Sequence, residues 1–346
     1  MSKLLTGAIR KVSALSTRLQ MRGAPKAAIL MYHCVAKSEL DPWNLSVTPE
    51  RFAEHLEIIQ QQAVPMSLRD LAAAQRSGNV PNRAVAITFD DGYANNLYQA
   101  KPLLNYYQIP ATVFVATGSL GSAQGFWWDE LAQALLTPGT LPKTLSLTID
   151  QQLKCWHLGD AATYSDDDYQ QDRHRNAWEG KPNSRLAFYY AVWEALKNLS
   201  ANQQQLLQAE ILTWAGAQAP IHSDYRALTH TELTALAQDG SIEIGAHTVT
   251  HPSLPAHDAV FQQAEIKQSK QTLEQILPYP ITSFAYPFGD LNQASIAAVE
   301  ASGFEQACST VQKGVWKKSD QFRLPRFEVK NWDRSAFQKQ LETWLH

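Results

Sequence analysis

The sequence of 346 residues has little cysteine, no long apolar run and no excess of positive charge. Its three cysteines, Cys34, Cys155 and Cys308, are far apart without paired spacing, which favours buried thiols in a reducing compartment over a disulfide framework. No apolar run is long enough to span a bilayer or resembles a signal-peptide core. The formal net charge of −3 argues against nucleic acid as the main partner. We therefore expect a cytoplasmic protein.

The N-terminal segment, residues 1–26, contains basic side chains and no acidic ones. Apolar residues such as Leu5, Ile9 and Val12 recur in it at helical spacing. A basic amphipathic helix is typical of segments that lie on anionic membranes, so residues 3–22 are a candidate for peripheral contact with the inner face of the membrane. A helix packed on the domain and a frayed tail fit the same pattern, and both alternatives stay open.

Seven short apolar runs predict buried strands. They are Ala27–Tyr32, Ala84–Phe89, Ala111–Ala116, Ser241–Gly245, Ile281–Ala285, Glu305–Ser309 and Phe322–Arg326. Helical patterns lie between many of them, which predicts an α/β fold with a parallel sheet covered on both faces. Over residues 27–346, seven strands can close into a distorted barrel or form an open doubly wound sheet. The region of about 129–228 does not follow the alternation of strands and helices, and its pattern predicts a mainly helical insertion.

Polar side chains follow several predicted strands where each strand ends. They are His33, the pair Asp90-Asp91, His247, the run Tyr286-Pro287-Phe288-Gly289, and Arg326. Because the carboxyl ends of parallel strands meet at one edge, these side chains are expected to lie close together.

Two adjacent aspartates repel each other and need a cation, a proton or an arginine nearby. One aspartate with His247 and His251 is a ligand set for a divalent metal, and the other aspartate is then a base. The pattern predicts metal-assisted hydrolysis.

Three segments resemble motifs of the NodB-type polysaccharide deacetylases, which form carbohydrate esterase family 4. These segments are Thr88-Phe89-Asp90-Asp91-Gly92, His247-Thr248-Val249-Thr250-His251 and Phe284-Ala285-Tyr286-Pro287-Phe288-Gly289. The resemblance spans roughly residues 27–329 and implies a distorted (β/α) barrel. It also implies that Asp90 is the general base and that Asp91, His247 and His251 hold a divalent metal, usually zinc.

The chain departs from that family pattern at two positions. Many members have an arginine where this chain has Ala285, and many end in a leucine-x-histidine motif that supplies the catalytic acid. Between His257 and the terminal His346 this chain has no histidine. His33 is the natural replacement acid, because Leu30-Met31-Tyr32-His33 resembles the rearranged motif order of the exopolysaccharide poly-N-acetylglucosamine deacetylases. Arg326 is the candidate replacement for the arginine.

Five residues are candidates for contact with a sugar substrate: Tyr286, Pro287, Phe288, Trp127 and Trp128. Each motif also has a structural interpretation. An Asp-Asp-Gly sequence alone is commonly a turn, His33 can be a buried and satisfied histidine, and Arg326 can form a structural ion pair. Tryptophans such as Trp127 are more often core residues than ligand contacts.

The resemblance implies a hydrolase that removes N-acetyl groups from an amino-sugar glycan or, if the N-terminal helix meets a membrane, from a lipid-linked sugar. Two alternatives stay open. The same site could deformylate or hydrolyse another small amide, and a glycan-binding protein could keep the groove without turnover.

Overall fold

The structure, a computed structural model, describes residues 27–122, 125–217 and 225–346. The N-terminal segment, with its expected membrane contact through residues 3–22, lies outside these residues. Within the described ranges, no helix is both long and apolar enough to cross a membrane.

Seven parallel strands form a curled half-barrel, which confirms the predicted fold class. They are β1 Ala28–Tyr32, β2 Ala84–Phe89, β3 Ala111–Val115, β4 Ile242–Ala246, β5 Ser283–Ala285, β6 Gln306–Cys308 and β7 Phe327–Glu328. Their spatial order is β6-β5-β4-β3-β2-β1-β7, and the short strand Val64–Pro65 pairs with β2 at the side. Since β1 to β6 neighbour each other in chain order, the sheet lacks the reversal that defines a doubly wound sheet.

The predicted last strand, Phe322–Arg326, is wrong in position. Leu324 makes only an isolated parallel bridge with Cys308, and the ladder with β1 begins at Phe327, opposite Leu30. Pro325 explains the interruption, because proline has no N–H to donate to a ladder. The chain between Leu324 and Phe327 therefore crosses from the β6 edge to the β1 edge and carries Arg326 between them.

Eleven α-helices lie in the described residues. They are α1 Pro49–Gln62, α2 Leu68–Ser77, α3 Lys101–Tyr107, α4 Trp127–Leu136, α5 Asp166–Asp172, α6 Arg185–Lys197, α7 Ala201–Ala215, α8 His230–Ala237, α9 Ala259–Ile276, α10 Gln293–Ala301 and α11 Arg334–Leu345. The helix starts follow ordinary capping chemistry. Thr48 precedes Pro49, the first residue of α1, and its side chain accepts a hydrogen bond from the Arg51 amide. Thr229 forms a capping box with Glu232 at the start of α8.

The insertion combines helices α4–α7 with strands that the sequence analysis did not predict. Thr144–Ile149 and Gln152–His157 form an antiparallel hairpin, and Gly139–Thr140 pairs with Thr163–Tyr164. Arg185 is fully buried in this region and donates to four backbone carbonyls, those of Leu135, Gly139, Ala161 and Ala162. The insertion has its own apolar cluster, which includes Tyr93 from the barrel and has Phe288 packed against it, so the insertion packs against the strand ends.

Candidate active site

The turn after β2 separates the two adjacent carboxylates. The Asp90 amide donates to the Tyr32 carbonyl at 3.0 Å and so continues the pairing of β2 with β1. Asp91 and Gly92 then adopt left-handed backbone conformations, with φ of 74° and 84°. A Cβ at Gly92 would come within 3.1 Å of the Val115 side chain, so glycine fits this turn best. As a result, Asp90 meets Arg326 while Asp91 meets two histidines.

Arg326 holds Asp90 through two parallel hydrogen bonds. Its Nη1 and Nη2 each donate to one Asp90 carboxylate oxygen at 2.7 Å, and its Nε donates to the Ser309 carbonyl at 3.0 Å. The arginine is fully buried. Burial by itself raises the pKa of Asp90, but the charge and hydrogen bonds of Arg326, aided by His247 and His33, outweigh it, so the pKa lies below its usual value. Asp90 is therefore an ionised, oriented carboxylate.

Asp91, His247 and His251 form a buried group of potential metal ligands, whose candidate atoms all lie within 4.8 Å of one another. The Nε2 atoms of His247 and His251 are 3.5 and 3.3 Å from Asp91 Oδ1. His247 Nδ1 lies 2.7 Å from the Ala285 carbonyl oxygen. Because a carbonyl can only accept, Nδ1 carries a proton, which leaves Nε2 as the ring atom that faces the aspartate and can ligate a metal ion when unprotonated.

The chemistry of these three side chains fits a divalent cation. Burial raises the pKa of Asp91, but interactions with His247 and His251 outweigh it and lower the pKa. Burial lowers the pKa of His251, so its neutral form is favoured despite the nearby aspartate. Asp91 Oδ1 is buried and accepts no hydrogen bond from the described residues. With both Nε2 atoms unprotonated, their lone pairs and the carboxylate oxygen repel one another unless a cation lies between them, and aspartate with two imidazoles is a zinc-type donor set.

The loop that carries the two histidines is held by Glu265 of α9. Its carboxylate accepts hydrogen bonds from the Val249 amide at 2.9 Å and the Thr250 amide at 2.8 Å. Thr248 and His251 have positive φ, 65° and 57°, which is uncommon for residues with side chains. Glu265 thus stabilises a strained turn that brings His251 beside His247.

A cavity of about 380 Å³ opens over this group, and both carboxylates and both histidines line it. His33 lines the same cavity with a half-buried side chain, and its backbone carbonyl accepts a hydrogen bond from Asn96. The structure therefore brings together His33, Asp90, Asp91, His247 and His251, and it places Arg326 directly behind Asp90.

The candidate sugar contacts divide into two groups. Phe288 and Trp128 line the cavity, and their rings lie 4.6 and 4.7 Å from the His251 ring. By contrast, Tyr286 is fully buried and its hydroxyl donates to the Phe322 carbonyl, because its backbone still pairs with β6 and its side chain enters the barrel core. Pro287 is buried, and Trp127 packs against Trp193; neither lines the cavity.

Several cavity residues were not found from the sequence. They are Trp43, Trp178, Trp193, Lys197 and Glu328. Each lies outside the three motifs, and only the total of ten tryptophans hinted at an aromatic surface. Tyr93 was missed as well. Its hydroxyl accepts from Trp128 Nε1 and donates to Asp129, both at 2.9 Å, which fixes Trp128 beside His251.

The fold and these side chains define an α/β half-barrel with a potential metal-ligand group and an arginine-paired carboxylate at its strand ends. The polysaccharide deacetylase family model matches residues 77–171 and 192–307. The chain belongs to this family, which confirms the resemblance seen in its motifs.

Known relatives agree with this assignment. The chain is 22% identical over 302 residues to a poly-β-1,6-N-acetyl-D-glucosamine N-deacetylase of Staphylococcus epidermidis, covering 87% of this chain and 73% of the relative. Its fold is similar to that of the Streptococcus pyogenes deacetylase PplD in complex with acetate, with a TM-score of 0.57, 18% identity, and coverage of 93% and 99%. IcaB from Ammonifex degensii gives a TM-score of 0.56 at 14% identity, with coverage of 93% and 97%.

Proposed function

We propose that this protein is a metal-dependent hydrolase that removes N-acetyl groups from an amino-sugar glycan. The observation that carries the proposal is the convergence, in one cavity, of the Asp91-His247-His251 group, His33 and an Asp90 carboxylate paired with buried Arg326. Each component has a separate task in amide hydrolysis. Membership of the polysaccharide deacetylase family supports the reaction class.

Asp91, His247 and His251 would hold the divalent ion, and zinc suits an aspartate with two imidazoles. When bound, such an ion supplies Lewis-acid polarisation of an amide carbonyl and acidifies water. Neighbouring groups set the orientation of the two histidine rings toward the ion. The Ala285 carbonyl orients His247, and Glu265 holds the turn that presents His251.

Asp90 is the proposed general base and His33 the proposed general acid. Arg326 keeps the Asp90 carboxylate ionised and oriented, so it can accept a proton from the water that attacks the acetamide carbon. The carbon–nitrogen bond then breaks, and His33 donates a proton to the departing amine. The products are acetate and a free amino sugar.

An N-acetylglucosamine polymer is the proposed substrate class. The Staphylococcus epidermidis relative is named for a β-1,6-linked polymer of this sugar, and Trp128 and Phe288 offer aromatic surface beside the candidate metal ligands. A lipid-linked sugar would require the membrane contact of residues 3–22. That contact and a cytoplasmic location stay predictions.

Acetate release from defined amides tests the proposal. We expect the purified protein loaded with zinc to release acetate from β-1,6- or β-1,4-linked N-acetylglucosamine oligomers. Asp90→Asn should retain the metal and lose about 10²- to 10⁴-fold in turnover, because a general base contributes about that much. His247→Ala should lose the metal itself, measured by elemental analysis.

Three results would count against parts of this assignment. Near-normal turnover of Asp90→Asn at saturating metal removes Asp90 as the base. Faster release of formate from N-formyl analogues favours the deformylase alternative. Bound metal and bound oligomer without release from any amide favours a glycan-binding protein.

A further inference from the structure

Three tryptophans form a continuous wall at one side of the active-site cavity. Trp43, Trp178 and Trp193, hereafter the aromatic wall, all line it. The Trp43 ring lies 4.2 Å from the Trp193 ring and 6.0 Å from the Trp178 ring, centroid to centroid. Trp193 in turn contacts Phe288 at 5.8 Å, and Phe288 contacts His251. The rings thus lead outward from a candidate metal ligand to Trp178.

Hydrogen bonds hold two members of the aromatic wall, Trp43 and Trp178, in place. Trp43 Nε1 donates to the Tyr189 hydroxyl at 2.7 Å, and the loop that carries Trp43 is held by the Asp41 carboxylate, which accepts from the Leu45 and Ser46 amides. Trp178 sits in a short 3₁₀ turn, Ala177–Glu179, where the Glu179 carboxylate accepts hydrogen bonds from the Asn176 backbone amide at 2.8 Å and from its side-chain amide at 3.1 Å.

A main-chain bond joins these two segments. The Ala177 amide donates to the Pro42 carbonyl at 2.7 Å, so the Trp178 turn and the Trp43 loop are fixed relative to each other. A surface held in place before a ligand arrives loses little conformational entropy on binding.

Trp178 is 52% exposed although it belongs to this ordered wall. An exposed indole is unfavourable in water, and the free protein leaves it uncovered on a fixed turn. Polar side chains face the same cavity, namely Thr310, Gln312 and Glu328. A flat apolar surface with hydrogen-bonding groups nearby matches a pyranose ring, which has apolar C–H faces and hydroxyls around its edge. An acyl chain would leave those polar groups without partners.

We propose that the aromatic wall is a subsite that stacks a second sugar ring, adjacent to the one that is deacetylated. The site therefore prefers amino-sugar oligomers to a single N-acetylated sugar, a small amide or a lipid-linked monosaccharide. This inference rests on the proposed function, because the neighbouring sugar is defined by its distance from the reacting acetamide. It assigns the choice of chain length to the insertion, which supplies Trp178 and Trp193.

Chain-length kinetics of a Trp178→Ala variant test the subsite. Acetate release is measured with N-acetylglucosamine and its oligomers up to the pentamer, for the zinc-loaded wild type and the variant. We expect the KM for the longer oligomers to rise about three- to tenfold in Trp178→Ala, the loss typical of one aromatic contact, with kcat and monomer kinetics unchanged. Trp178→Tyr keeps a ring and should restore most of the affinity.

Tyr106→Ala is the matched control, because Tyr106 is 79% exposed on α3 and lines no part of the cavity. It should behave as the wild type does at every oligomer length. Equal KM values for Trp178→Ala and wild type at all lengths would overturn the subsite. Failure of the proposed function gives a different result, no acetate from any length. In that event fluorescence titration of wild type and Trp178→Ala with the pentamer still decides the subsite: equal affinities overturn it, and weaker binding by the variant supports it.

Discussion

At the scale of single residues, Arg326 pairs with Asp90 although the two residues are far apart in the sequence. Family motifs suggest an arginine beside the third motif, where this chain has Ala285. Arg326 reaches the same carboxylate from the crossing between β6 and β1, more than two hundred residues along the chain from Asp90. Ala285 instead contributes its backbone carbonyl to His247. In this chain the charge of Asp90 is therefore balanced by an arginine that follows β6.

Replacing Arg326 by lysine should reduce turnover while the metal group stays intact. Lysine keeps one positive charge but cannot donate the two parallel hydrogen bonds that orient Asp90. A misplaced base costs about a hundredfold, so we expect kcat to fall by about that factor. Steady-state acetate release, together with zinc content and circular dichroism, measures the effect.

Arg323→Lys is the control for this substitution. Arg323 is half exposed and pairs with Asp320 at the surface, so its replacement should leave kcat unchanged. If Arg326→Lys keeps kcat within about twofold of wild type with the fold intact, its pair with Asp90 is structural only.

At the scale of elements, His55 joins three parts of the fold. It lies on α1, its Nδ1 is 3.3 Å from the Tyr32 hydroxyl of β1, and its ring stacks on Phe337 of α11 at 3.9 Å. Its Nε2 lies 2.9 Å from the Trp332 carbonyl, so Nε2–H donates there and Nδ1 accepts from Tyr32. This arrangement uses the neutral ring, in which one nitrogen donates and the other accepts.

Burial lowers the pKa of His55 from 6.5 to about 4 in the folded protein. The unfolded chain therefore binds more protons than the folded one between these values, and stability falls as the pH drops through this window. The loss approaches about 3 kcal/mol below pH 4, since each pKa unit corresponds to about 1.4 kcal/mol. Urea unfolding from pH 7 to pH 4 should show a shallower pH slope in His55→Gln than in wild type.

His157→Gln provides the comparison, because His157 is exposed on the insertion hairpin and should keep the wild-type slope. Equal slopes for His55→Gln and wild type would contradict the assignment of this proton to His55. Titration of the candidate metal ligands is common to all three proteins and cancels in the comparison.

Most elements were predictable because buried parallel strands are continuous apolar runs, and β2 matches its predicted bounds, Ala84–Phe89. The last strand lies later than predicted because Pro325 cannot donate to the ladder. The hairpin strand Thr144–Ile149 was also missed, although its alternation of exposed and buried residues is a readable strand signal. The tripeptide Asp166-Asp167-Asp168 opens α5, because Ser165 caps the helix.

The site was predictable where its chemistry is local in sequence. Asp91, His247 and His251 come from two short motifs, and strand-end convergence was enough to bring them together. The aromatic wall was not predictable in this way. Trp43 precedes α1, whereas Trp178 and Trp193 lie in the insertion, and only the packing of that insertion on the strand ends makes them neighbours.

At the scale of the whole molecule, the two neighbouring carboxylates at the strand ends differ in the partners they have. Asp90 has Arg326 as its partner. In the described part of the chain, Asp91 lies within ion-pair distance of His247 and His251 only. The three candidate ligands come from the turn after β2 and from the loop after β4, and β3 lies between these two strands in the sheet. An ion bound by all three residues would connect separate parts of the sheet, and this site exists only in the folded protein. The binding free energy of the ion would therefore add to the folding stability.

Removal of the divalent ion should for this reason destabilise the entire protein. Free zinc at one hundred times its Kd stabilises the native state by about 2.7 kcal/mol, which raises Tm by several degrees, and a chelator should abolish the shift. His247→Ala should show no zinc-dependent shift, whereas His174→Ala, exposed in the insertion, should show the full one. Thermal unfolding needs no substrate, so it tests the ligand group independently of turnover. An equal zinc-dependent shift in wild type and His247→Ala would place the ion elsewhere and leave the repulsion around Asp91 to be balanced by a proton.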